Sequence, residues 1–484
     1  MIKDDLSLPS RFDVVVVGSG PAGQEAALAA AQAGRSTLLV ERERGVGGAC
    51  VFTGTIPSKT LRETAGLFLK LRASAEKLAD LPPPETIRVS TLTARVAEVI
   101  RGHVATLDLR LRRSGVVSVH GKASFVGPSA LRIDFLDGSS TEVLAGHVVL
   151  AVGSRPRTPP NIAVDHEYVF DSDSFLSMEW LPRSLVVLGA GVIACEYASI
   201  FAALGVQVTM VDRGERPLGF FDPELSSVFL SSFVASGGIF RPGLTATSCA
   251  YDGNSVSTVL SNGETIVSDK ALCAQGRLAN TERLNLAAAG LAVNERGLLA
   301  VDDRFRTSVP HILAVGDVIG PPALAATSAD QGRRAVALAF GLDTGAAPET
   351  IPIGTYTIPD LASVGLDEFE ARKRHGDCLV GRVEFSEIAR GIIAGGAGVL
   401  KLVAAPDGRK LLGAQIAGEG STELVHLAQM ALLAGADVDV FVDRVFNFPT
   451  LAEAYRIAAF DIVRRRKSRA AEPASIAAPP RGSA

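Results

Sequence analysis

Sulfur is scarce in this chain, and spacing pairs none of it. The cysteines, Cys50, Cys195, Cys249, Cys273 and Cys378, are five in number, scattered, and without a CxxC among them. An odd, dispersed set of this kind excludes a disulfide-framed fold. A strong charge of one sign is missing too. The 48 basic and 52 acidic residues leave a formal net charge of −4, so nothing points to a nucleic-acid or anionic-membrane partner. No window reaches the roughly 20 uninterrupted apolar residues of a membrane helix. The opening residues, MIKDDLSLPS, have no apolar core of signal-peptide length. A soluble, cytoplasmic protein is therefore expected. The histidines, His103, His120, His147, His166, His311, His375 and His426, form no HExxH and no Cys/His cluster, so no metal site is expected.

Glycine, by contrast, is plentiful, with 48 among 484 residues. That suits a chain with several tight phosphate-binding turns, and the length calls for two to four domains. Residues 1–11 read as a loose polar arm. The apolar run from Phe12 to Val17 then reads as a strand buried on both faces. It enters Gly18-Ser19-Gly20-Pro21-Ala22-Gly23, an alanine-rich helix over about 22–33, and a strand over 36–41 that ends in Glu41. In that context GxGxxG has physical content. Gly18 permits the turn, Gly20 lets the backbone approach a pyrophosphate, Gly23 lets helix and strand pack closely, and Glu41 can accept from a ribose.

A second unit of the same kind follows a proline- and aspartate-marked connection at 157–182. Its strand is 184–188, its turn is Gly189-Ala190-Gly191-Val192-Ile193-Ala194, its helix is 192–204, and its next strand, 207–211, leads to Asp212. Two such units point to two dinucleotides. Between them lies Gly47-Gly48-Ala49-Cys50-Val51-Phe52-Thr53-Gly54-Thr55-Ile56-Pro57-Ser58-Lys59. Cys50 has the place of the first sulfur of a flavin-linked redox dithiol, but five residues on stands Thr55. Disulfide exchange runs through a mixed disulfide and needs two sulfurs.

Elsewhere, 60–80 reads as helix, 91–150 as alternating strands, 147–156 as a buried strand ending in the Gly153 turn, and 222–236 as helix. Residues 253–273 form a hairpin around Asn262-Gly263. A short strand ends in Gly316-Asp317 and leads to a helix at 323–340. From 346 an α+β pattern follows, with strands at 361–366, 377–385 and 398–404 and helices near 421–434 and 450–463. The tail, 467–484, is basic and then Ala/Pro/Ser-rich, and is expected to be disordered.

The ordered set Gly18–Gly23, Gly47–Lys59, Ala151–Pro156, Gly189–Ala194, Thr307–Asp317 and Phe448–Glu453 resembles the flavoprotein disulfide reductases. This is the group of glutathione reductase, dihydrolipoamide dehydrogenase and mercuric reductase. The resemblance covers about 12–465. It implies an α/β protein with two Rossmann-like dinucleotide-binding domains plus a C-terminal α+β dimerisation domain. The FAD-binding domain would be discontinuous, 12–155 and 275–345. The NAD(P)-binding domain would be 156–274 and the dimerisation domain 346–466. FAD, NAD and NADP are the implied cofactors, and a homodimer or higher homo-oligomer the implied assembly.

Carried onto this sequence, the family pattern places Gly48, Cys50, Lys59, Gly153, Gly316 and Asp317 with Gly18, Gly20, Gly23 and Glu41 around FAD. Asp317 would sit at the ribitol and phosphate region. Gly189, Gly191, Asp212, Arg213 and Arg277 would meet the nicotinamide nucleotide. Lys59 and Glu196 would pair near the flavin's reactive edge, where a lysine can stabilise developing negative charge. Lys59, Glu196 and Glu453 are the implied catalytic residues.

Two departures stand out. Dithiol-using members have a second cysteine where this chain has Thr55. They also have a histidine, oriented by a glutamate, where it has Phe448, although Glu453 remains. Phenyl cannot carry protons as imidazole does. Both local patterns resemble the subgroup of soluble pyridine nucleotide transhydrogenases. That implies a ping-pong hydride transfer from NADPH to NAD+ through flavin N5, with Cys50 an inert thiol. Asp212 suits a free ribose 2′-hydroxyl, and Arg213 and Arg216 could offset its charge for a 2′-phosphate. Plain NAD preference fits the same residues. A dihydrolipoamide dehydrogenase-like enzyme, an NAD(P)H diaphorase or oxidase, and a non-catalytic redox-sensing flavoprotein remain the rival readings.

Overall fold

The computed structural model describes residues 8–43, 45–79 and 88–471. It divides into two compact units, Met1–Gly214 with Gly237–Ala347, and Glu215–Ser236 with Pro348–Ala484.

The first unit is built on a mixed sheet. Strand Arg11–Val17 lies parallel between Thr37–Glu41 and Ser140–Leu150, and Ile312–Ala314 extends the sheet beyond Ser140–Leu150. The long strands Val117–Gly127 and Ser140–Leu150 run on into an antiparallel meander with Ala130–Phe135. The valine run explains itself. Val15 and Val17 enter one core with Phe125 and Ile133, while Val14 and Val16 enter the opposite core with Leu28, Leu39 and Leu111. Successive side chains on a strand face opposite ways, so a strand covered on both faces must be apolar throughout.

A second, all-parallel sheet has the order Ile239–Arg241, Gln207–Val211, Ser184–Leu188, Lys270–Cys273, Val169–Asp171. The Asn262-Gly263 hairpin joins Val256–Leu260 to Thr265–Ser268, with Gly263 at a φ of +87°. The two-dinucleotide architecture expected from the sequence is thus present.

The second unit is an antiparallel sheet in the order Ile353–Thr355, Leu361–Gly365, Leu411–Ala417, Val399–Ala404, Leu379–Glu384. Helices Ser421–Leu433 and Glu453–Ala471 share its core, where the fully buried Tyr455 donates to the Leu424 carbonyl at 2.7 Å.

Three local expectations change. Residues 91–113, read as part of a run of strands, lie in the helix Val89–Arg113. Val89, Leu92, Val96, Ile100, Val104, Leu107 and Leu111 recur every three or four residues and face the core; that stripe was hidden by short-range alternation. The helix expected from about residue 60 starts at Thr55, with Pro57 in its first turn, where no N–H is required of it. The last helix runs on to Ala471, past the expected start of the tail. The rest of that tail and residues 1–7 of the N-terminal arm lie outside the described residues.

The segment Glu215–Ser236 clusters with the second unit although sequence position put it among the nucleotide-binding residues. A buried ion pair joins the segment to that unit's sheet. Lys401 Nζ lies 2.9 Å from Asp222 and 3.2 Å from Glu224, and Asp222 caps helix Pro223–Ala235 by accepting from Glu224 N. Burial alone would lower the Lys401 pKa, but the Asp222 and Glu224 carboxylates outweigh it and the net direction is up. Leaving one buried charge of such a pair uncompensated costs about 3–5 kcal/mol. Lys401→Met is therefore expected to destabilise this unit by about 3 kcal/mol, read from the midpoint of urea unfolding. Asp222→Asn with Lys401→Met should recover most of that loss.

Candidate functional site

Both glycine turns carry the same construction. At Gly18, φ is +97° and a Cβ would meet the Ala151 carbonyl oxygen at 2.4 Å. At Gly189, φ is +117° and a Cβ would meet the Ala274 oxygen at 2.6 Å. Neither position admits a side chain. Gly23 is closed as well, a Cβ falling 1.8 Å from the Gly18 oxygen. Gly20 and Gly191 are the opposite case, with nothing within 4 Å of where a Cβ would stand. Each is the N-cap of a helix, Pro21–Gln32 or Val192–Ala203, that has no side-chain cap. Open backbone before an uncapped helix N-terminus is what a dinucleotide pyrophosphate requires.

The acids after the second strands are locked onto these turns. Glu41, buried, accepts from Ser19 N at 2.9 Å and Ser19 Oγ at 2.5 Å through Oε2, and from Glu43 N at 2.9 Å through Oε1. Asp212 accepts from Ala190 N at 2.9 Å and Gly214 N at 2.7 Å. A carboxylate offers about four lone-pair sites, so each retains capacity for a ribose hydroxyl. These features fit FAD at the first turn and a nicotinamide nucleotide at the second.

The Gly47–Lys59 stretch folds as a short helix, Gly48–Phe52, followed by Thr55–Ala79. Gly48 abuts the first turn, a Cβ there falling 2.9 Å from Gly20 Cα. Cys50 is half-buried and the other four cysteines are buried, and none of the five is in a disulfide. Desolvation raises its pKa, Asp317 adds to the rise, and a hydrogen bond with Thr55 and the charge of Lys59 only partly offset it. The thiol is therefore held protonated and poorly nucleophilic.

Lys59 Nζ meets both oxygens of Glu196, at 2.9 and 2.7 Å. Glu196 is 5% exposed and sits on the helix that follows the second glycine turn. The pair ties the flavin-side helix to the nucleotide-side helix. Asp317 opens the turn after Ile312–Ala314 beside Gly316, and its Oδ2 accepts from Ser154 Oγ at 2.6 Å. Ser154 follows Gly153, whose φ is +66°. Arg277 donates to Ser154 Oγ and to the Ser154 carbonyl, each at 2.8 Å. Arg213 is exposed. Arg216 spends its guanidinium on the Gly219 and Phe221 carbonyls and the Ser226 hydroxyl.

Glu453 belongs to the second unit, where its Oε2 is buried with no partner among the described residues. Five residues before it, Phe448 is 66% exposed. Sequence reasoning passed over Ser19, which links Glu41 to Gly47 N at 2.9 Å, and Ser154. Both lie within or beside motifs already singled out. It also passed over Tyr197, whose buried hydroxyl has no partner among the described residues. Burial raises the Tyr197 pKa, and the Glu196 and Asp173 charges add to that.

Residues 12–332 match the family model of the pyridine nucleotide-disulphide oxidoreductases, and residues 351–459 match that of their dimerisation domain. The chain belongs to this family, and membership implies binding of FAD and NAD(P). It is similar to the soluble pyridine nucleotide transhydrogenase of Mycobacterium bovis (strain BCG / Pasteur 1173P2), with 42% identity over 459 residues, 94% of this chain and 98% of that protein. The protein of the same name from Photobacterium profundum is 37% identical over 470 residues, 94% and 98% of the two chains. Among solved structures, LpdA from Mycobacterium tuberculosis superposes with a TM-score of 0.86 at 26% identity, covering 93% of this chain and 99% of that one. The HOCl-induced flavoprotein disulfide reductase RclA from Escherichia coli superposes with a TM-score of 0.83 at 26% identity, covering 92% and 98%.

Two outcomes follow from the geometry. Cys50 should alkylate slowly with iodoacetamide at neutral pH and faster as pH rises past the ordinary thiol range, monitored by mass mapping. Tyr197→Phe removes an unsatisfied buried hydroxyl and should leave thermal stability unchanged or raise it by up to about 1 kcal/mol, measured by calorimetry.

Proposed function

We propose that this chain transfers hydride from NADPH to NAD+, giving NADP+ and NADH, with the two nucleotides occupying one site in turn and no sulfur in the electron path. The observation that carries the reading is the Cys50–Thr55 pair, one protonated thiol bonded to a hydroxyl where exchange would need a second sulfur. The names of the full-length relatives support the same activity. Bound FAD supplies the two-electron acceptor and donor, at its N5, that links the two half-reactions.

In this reading 12–155 and 275–345 hold FAD, 156–274 bind the nicotinamide nucleotide, and 346–466 form the interface of a homodimer. The Lys59 ammonium stabilises negative charge at the flavin edge, and Glu196 holds that ammonium in place. The second glycine turn takes the pyrophosphate and Asp212 the adenosine ribose. Arg213 is the cation beside Asp212 in sequence that could receive a 2′-phosphate. Arg216 is already engaged. Hydride transfer demands no general acid, so an imidazole is not missed at Phe448. Glu453 keeps its place at the start of the last helix, with one buried oxygen unpartnered among the described residues.

The test is a steady-state assay on the purified protein with NADPH and thio-NAD+. Parallel double-reciprocal lines are expected, with no turnover of lipoamide or glutathione disulfide. Intersecting lines would overturn the alternating occupancy. Disulfide turnover lost in Cys50→Ser would overturn the sulfur-free path. In the transfer assay Cys50→Ser is expected to stay within about twofold of wild type. Lys59→Met is expected to lower kcat about a hundredfold, the scale of one lost electrostatic donor.

A further inference from the structure

Arg277 is not a free arm. Its Nε donates to Ser154 Oγ at 2.8 Å, and its Nη2 donates to the Ser154 carbonyl at 2.8 Å. Its Nη1 lies 3.4 Å from both Ser172 Oγ and Asp173 Oδ1. A hydroxyl has one proton to give. Because Ser154 accepts from Arg277, it gives that proton to Asp317 at 2.6 Å. At the other end Asp173 Oδ1 also accepts from Thr53 Oγ1 at 3.3 Å. A connected network therefore links Asp317, Ser154, Arg277, Asp173 and Thr53, with Arg277 donating towards both carboxylates. It joins the strand-end acid of the first glycine-turn sheet to the stretch that carries Cys50 and Thr55.

Asp173 is held to this task from behind. Asp171 Oδ1 accepts from Asp173 N at 3.0 Å, Ser174 N at 2.8 Å and Ser174 Oγ at 2.8 Å, which closes a rigid turn after the edge strand Val169–Asp171. Two residues on, the fully buried Phe175 packs edge-on to Tyr197 at 5.0 Å and against Phe201 at 4.9 Å. Both aromatics belong to the helix that carries Glu196. The turn is thus fixed to the nucleotide-side sheet and to the nucleotide-side helix.

We propose that Asp173 is a positioning residue for nicotinamide-nucleotide binding. With Ser154 it holds the Arg277 cation between two carboxylates, at the junction of the two dinucleotide-binding folds, so that the substrate meets a guanidinium already oriented. Its side chain is 33% exposed and that of Arg277 is 25% exposed. A pair so placed contributes little to stability. Its use is geometric, because a preoriented cation saves the ordering cost of binding. The proposal rests on the functional reading above in naming the nucleotide, and on the family resemblance in placing Arg277 against it.

The experiment uses the full-length FAD-loaded protein and its Asp173→Asn, Asp173→Glu and Ser154→Ala variants. NADP+ binding is measured by calorimetry, alongside KM and kcat for NADPH, flavin content and melting temperature. Asp173→Asn is expected to weaken NADP+ binding and raise the NADPH KM about tenfold, with kcat changed less than threefold and flavin content unchanged. Asp173→Glu should recover part of that loss. Unchanged binding and KM in Asp173→Asn, in protein that keeps its flavin, would overturn the proposal. So would a loss of melting temperature that scales with every kinetic change, since that marks a merely structural role. A wild-type protein that binds NADP+ but transfers no hydride would overturn the functional reading and leave the binding comparison intact.

Discussion

Glu196 cannot be buried as a lone carboxylate, and that constraint shapes the centre of the molecule. A charge at 5% exposure must be paired and hydrogen-bonded or it neutralises. Its partner, Lys59, comes from a helix 137 residues away in sequence, and both carboxylate oxygens are engaged. The contact therefore fixes helix Thr55–Ala79, preceded by the Gly48 turn that abuts Gly20, against helix Val192–Ala203 after the second glycine turn. Both glycine turns, and the acids that close them, are then held in one frame. The same ammonium is only partly covered, at 25% exposure, which leaves it a face for a ligand. One ion pair thus joins a buried carboxylate to an ammonium that is partly open.

Legibility in the sequence followed the range of the cause. Gly18, Gly20 and Gly23 act on neighbours within a turn, so their roles could be read from spacing, as could those of Gly189 and Gly191. Glu41 and Asp212 were placed by the same local rule. The helix Val89–Arg113 failed because alternation over a few residues masks a stripe that repeats over several turns. Arg216 looked available beside Asp212 in sequence, yet the turn it closes claims its donors. Asp173 had no local signal at all. Its partners, Arg277 and Thr53, lie 104 and 120 residues away.

Thr55 stands where dithiol-using members have a sulfur, and Phe448 where they have an imidazole. Thr55 keeps a polar contact with Cys50 but leaves the thiol protonated by desolvation. Glu453 keeps its place at the start of the last helix, with one oxygen unpartnered among the described residues. Scaffold and cofactor-facing groups are intact, whereas the groups that would handle sulfur and its protons are not.

Helix Pro223–Ala235 adds a consequence for how the protein is made. Its capping acid, Asp222, waits for Lys401, 179 residues further along. At about 5–20 residues per second of synthesis, the interval is roughly ten to forty seconds. Throughout that time the nascent chain carries Leu225, Phe229 and Phe233, all buried in the finished molecule, on a helix whose own unit has not yet emerged. The first unit cannot close its sequence without leaving this segment outside. A holding chaperone at that stage would spare the chain an exposed apolar helix.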